Sequence, residues 1–89
     1  MITELYEGDI DFLANILYQT HLQSLIKKIT KSQPHPDCSE MVICKLSIDE
    51  TKELIGQLCF EANHSKSKRI IEHADYIITS LESQVHMAE

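Results

Sequence analysis

Two stretches of the chain repeat their apolar residues at helical spacing. Ile48, Thr51, Leu54, Ile55, Leu58, Cys59 and Ala62 fall on one stripe, and Ile70, Ile71, Ala74, Ile77, Ile78, Leu81 and Val85 on a second. A stripe recurring at about 100° per residue is what a core-facing helix needs. The first stretch opens on Ser47-Ile48-Asp49-Glu50. This is the pattern of a capping box, in which the serine oxygen and the third-position carboxylate satisfy each other's backbone amides. Asn63-His64-Ser65 separates the stripes and reads as a turn. Two helices, about 47–63 and 66–86, are predicted to form an antiparallel hairpin.

Upstream the pattern is less regular. Asp9 after Gly8 suits a helix start, and Lys27 and Lys28 suit the negative end of a helix closing near Thr30. Within this span of about 9–30, Ile10, Leu13, Ile16 and Leu17 share one face. Leu22, Leu25, Ile26 and Ile29 share another, roughly opposite. Either the helix breaks around Tyr18 to His21, or one continuous helix buries different sides along its length. The continuous helix needs a second copy of the chain, and Ile10, Leu13, Ile16 and Leu17 are then the expected dimer contacts.

Residues 31–46 form the connector. Pro34 and Pro36 bias the residues before them out of the helical region, and Asp37 and Ser39 favour turns. Residues 40–46 carry Val42, Ile43 and Cys44 and suit an extended conformation. A lone strand in a helical chain lies as a linker or pairs with its symmetry mate. The expected architecture is therefore all-α: one domain over 1–89, with the N-terminal helix packed across the hairpin.

Composition narrows the function. Eighty-nine residues with a net charge of −6 make one small acidic domain, a poor start for binding phosphate backbones. The opening MITELYEGDID is acidic where a secretory leader is basic. No apolar run approaches a membrane span. A cytoplasmic protein whose three cysteines stay reduced is expected.

Candidate chemistry is sparse. His35, Cys38 and Cys44 are sound zinc ligand types but leave a closed site one ligand short. Lys66, Lys68 and Arg69 make the densest basic cluster, the basis for a nucleic-acid alternative. Arg69, His73, Tyr76 and Ser80 form a polar row beside the last apolar stripe, and arginine and tyrosine are favoured interface anchors. Phe60 lies off the stripe of its helix, beside Gly56, whose helical cost makes sense if a neighbour approaches closely. No paired carboxylates, nucleophile motif or glycine-rich phosphate loop appears, so neither an enzyme nor a cofactor is implied. The leading expectation is a homodimeric interaction module that regulates, inhibits or adapts another macromolecule. Arg69, His73, Tyr76 and Phe60 are its expected partner contacts.

Overall fold

The computed structural model describes residues 1–18 and 20–89. The chain falls into two compact units, Met1–Ser47 and Ile48–Glu89.

The N-terminal unit overturns the all-α expectation. It holds strand β1 (Ile2–Tyr6), a 3-10 turn (Glu7–Asp9), helices α1 (Ile10–Leu17) and α2 (Gln23–Thr30), strand β2 (Gln33–Pro34) and strand β3 (Met41–Lys45). The fold is thus mixed, with a three-stranded antiparallel sheet in the order β1-β3-β2. The extended segment expected at 40–46 is β3. Its principal partner is β1, within the same chain, with Ile2 opposite Lys45 and Tyr6 opposite Met41. Two reciprocal bonds between Met1 and Leu46, at 3.1 and 3.3 Å, prolong the ladder at one end. Glu7 N–H donates to the Glu40 carbonyl at 3.0 Å at the other.

Strand alternation sorts the side chains into two faces. Thr3 and Leu5 of β1, with Val42 and Cys44 of β3, are buried. Ile2, Glu4 and Tyr6, with Met41, Ile43 and Lys45, lie on the other face.

The expected helix 9–30 is broken. Tyr18 turns extended, with φ −62° and ψ 132°. The Thr20 hydroxyl donates to the Leu17 carbonyl at 2.7 Å, and its oxygen accepts from Leu22 N–H at 3.1 Å. One threonine therefore closes α1 and opens α2, the use of short hydroxyl side chains that competes with continued helix. Gln19, inside the expected break, lies outside the described residues. The break resolves the two opposed apolar faces. Leu13 and Leu17 of α1, and Leu25 and Ile29 of α2, are all buried without a second copy.

The C-terminal unit follows its apolar pattern. Helix α3 (Ile48–His64) and helix α4 (Lys68–Ala88) form the hairpin. Thr51, Leu54 and Leu58 are buried on α3, and Ala74, Ile77, Ile78, Leu81 and Val85 on α4. The stripe of α3 is narrower than its sequence suggests, because Cys59 is exposed. Ser67 caps α4, its hydroxyl accepting from Ile70 N–H at 3.4 Å. At the open end of the hairpin Lys52 Nζ meets Glu89 Oε1 at 2.7 Å. The bond raises the lysine pKa and lowers that of the carboxyl. Both groups are well exposed, so the pair adds little stability.

Two residues depart from local rules. Thr3 is fully buried, and its Oγ1 has no hydrogen-bond partner among the described residues. Gly56 is exposed in mid-helix, and a Cβ added there would meet nothing within 4 Å. Among the described residues, the close approach expected at this glycine is absent. Thr3→Val keeps the branched shape and removes the unmet hydroxyl, so it should stabilise by about 1 kcal/mol in urea unfolding. Gly56→Ala should likewise stabilise, by up to about 1 kcal/mol, and a lowered urea midpoint would contradict the open space seen there.

Candidate functional site

The outer face of the sheet carries exposed apolar side chains. Three cross-strand pairs build it: Ile2 with Lys45, Glu4 with Ile43, and Tyr6 with Met41. On the β2 side Gln33 stands opposite Ile43. Ile2 is 59% exposed and Tyr6 38%, while Met41 and Ile43 are half-buried. An antiparallel sheet with one wet face normally presents polar side chains there. Here four of the six residues from β1 and β3 are apolar or aromatic.

A polar contact crosses this face. His35 Nε2 lies 3.0 Å from Glu4 Oε1, and His35 Nδ1 accepts from Asp37 N–H at 3.0 Å. An accepting Nδ1 carries no hydrogen, so Nε2 is the donor to the carboxylate. His35 N–H also donates to the Met41 carbonyl at 3.0 Å, which seats the residue beside β3.

These bonds bear on the zinc alternative. Both ring nitrogens of His35 are engaged within the protein. Cys38 is half-buried in the turn before β3, and Cys44 points into the core on the opposite face. Among the described residues no group of three histidine, cysteine or acidic side chains converges to hold a metal ion. Burial pushes the Cys44 thiol up to about 11.

The expected partner contacts lie on the C-terminal unit. On α4, Arg69 is exposed, Tyr76 is 52% exposed and His73 is half-buried. Ser80, the end of the row, accepts from Gln84 Nε2 at 3.2 Å. Phe60 on α3 is 53% exposed and stacks on His64, ring centroids 4.1 Å apart, while His64 Nδ1 donates to the Phe60 carbonyl at 2.8 Å. The histidine one turn along covers one side of this ring and leaves the rest open. Lys66, Lys68 and Arg69 are exposed around the α4 start, with Lys68 reaching Glu72 at 3.9 Å.

The expected dimer contacts divide. Leu13 and Leu17 have no exposed surface to give to another chain, and Ile10 and Ile16 are half-buried. The outer sheet face escapes a sequence reading that assigns no strand to residues 2–6. One signal was available: Ile2-Thr3-Glu4-Leu5-Tyr6 contains β-branched and aromatic residues beside an acidic turn.

Comparison with known proteins finds no match: no family model, curated protein or solved structure resembles the chain significantly. Among the described residues no helix is long and apolar enough to cross a membrane.

The thiol environments generate a test. At neutral pH a thiol reagent should label exposed Cys59 first and Cys44 last. The folded Cys44 thiol stays neutral until about pH 11, whereas an unfolded one ionises near 9. Its contribution is therefore complete below pH 9 and is lost as pH rises toward 11, at up to about 1.4 kcal/mol per pH unit. Urea midpoints at pH 8 and pH 10 should fall further for the native chain than for Cys44→Ala. Equal losses would show that this thiol is not shielded.

Proposed function

We propose that the protein is a stoichiometric interaction module, a regulator or adaptor of another protein, and that the outer face of its sheet is the contact surface. The observation that carries this reading is the apolar set on one sheet face, exposed Ile2 and Tyr6 with half-buried Met41 and Ile43, around the His35–Glu4 contact. An interface core is made of such a set: apolar and aromatic side chains at the centre with polar groups around them. The site is carried on paired strands, so its side chains are already positioned and little order is lost on binding.

Self-association would use the same residues, and one variant separates the uses. Ile2→Lys with Ile43→Lys puts two charges on the face and leaves the inner face untouched. Its urea unfolding should remain cooperative, with a midpoint lowered only modestly by the loss of half-buried Ile43. With the native chain as bait in an extract of the source cell, the proteins retained should be lost with the variant. Retention unchanged by the variant would overturn the assignment of this face. Sedimentation at about 100 µM reads the other use: a native dimer that the variant converts to monomer would make the partner a second copy.

A further inference from the structure

The sheet face ends in a cleft of about 570 Å³ lined by Ile2, Lys28, Lys31, Gln33, Ile43, Cys44 and Lys45. Three of the four lysines in Met1–Ser47 line it, and none of that unit's six carboxylates does. In a chain of net charge −6 this is a local reversal of sign.

The lysines come from two elements far apart in sequence. Lys28 lies in the last turn of α2 and Lys31 directly after it, where cations also complement the helix end. That reason does not extend to Lys45, which arrives from β3. Neither Lys31 nor Lys45 forms an ion pair among the described residues. Strand β2 is also too short to close the cleft. It pairs only with Val42 and Ile43, so Lys45 has no residue opposite on that side of the sheet. The backbone of β3 there adds polar groups to the cleft. Ile2 and Ile43 add an apolar wall.

We propose that this cleft accepts an acidic segment of the partner protein, with carboxylates on Lys28, Lys31 and Lys45 and an aliphatic side chain on Ile2 and Ile43. The proposal rests on the reading of the sheet face as an interaction surface. Charge complementarity selects the occupant. A basic segment would be repelled by the three lysines. A nucleic acid would meet the same lysines but also the carboxylates of a net acidic chain. An isolated small anion would leave the apolar wall uncovered.

The probe is a blocked peptide, Glu-Leu-Glu-Asp-Leu-Glu, titrated into the 15N-labelled full chain. Amide shifts should centre on Ile2, Lys31, Gln33, Ile43 and Lys45. Affinity should fall as salt is raised from about 50 to about 300 mM, because exposed charge pairs are screened. Lys31→Glu with Lys45→Glu, both at exposed positions, should weaken binding about tenfold with unfolding unchanged. Three results would overturn the proposal: no shifts in the cleft, equal binding of the peptide with lysine in place of its acids, or tighter binding of phenyl phosphate, anionic vesicles or duplex DNA. Its failure is distinct from failure of the sheet face. Proteins lost with Ile2→Lys and Ile43→Lys but retained with the two lysine reversals would keep the face and remove the acidic segment.

Discussion

Everything in the N-terminal unit depends on one long-range pairing, β1 against β3. It joins residues roughly forty apart in sequence, and it puts Thr3 and Leu5 directly opposite Cys44 and Val42. Those four side chains form the buried face of the sheet. Without β1, strand β3 would keep only the two-residue partner β2, and a two-stranded hairpin of that size is not stable in water. The same register decides the opposite face. Because side chains alternate, burying Thr3 and Leu5 forces Ile2, Glu4 and Tyr6 outward, and a slip of one residue would exchange the sets. The outer surface is thus fixed by the core.

The two units differ in how local their contacts are. The hairpin of α3 and α4 closes through a three-residue link and is held by stripes close together in sequence. Local contacts form quickly, whereas a pairing that first closes a loop of some forty residues is slow. The helical hairpin should therefore organise ahead of the β1–β3 ladder.

This difference also explains what the sequence disclosed. Both hairpin helices are legible because helical periodicity is a local property, and their ends fall within about two residues of expectation. The break after Leu17 was visible as two opposed apolar faces, although Thr20, the residue that makes it, carries no signal of its own. Strand β3 was visible as an extended segment, but its partner was not. Five residues, Ile2 to Tyr6, cannot announce a strand when the pairing that stabilises them lies beyond the reach of any local pattern. Of the candidate surfaces, those on α3 and α4 were readable as exposed rows on helices. The outer sheet face was not, because it exists only once two distant strands are side by side. The lysine cleft needed the same meeting, since Lys28 and Lys31 look like ordinary helix-end cations until Lys45 is placed near them.

Strand β2 has a consequence beyond its length. Pro34 stands opposite Val42, and the bond from His35 N–H to the Met41 carbonyl places Pro34 at a position directed away from β3. Proline has no N–H to offer there, which is a familiar guard against a further strand docking on an edge. The guard reaches only as far as β2 does: beyond Gln33 the edge of β3 at Lys45 has no strand beside it, so the backbone groups left for a docking strand lie there and along β1.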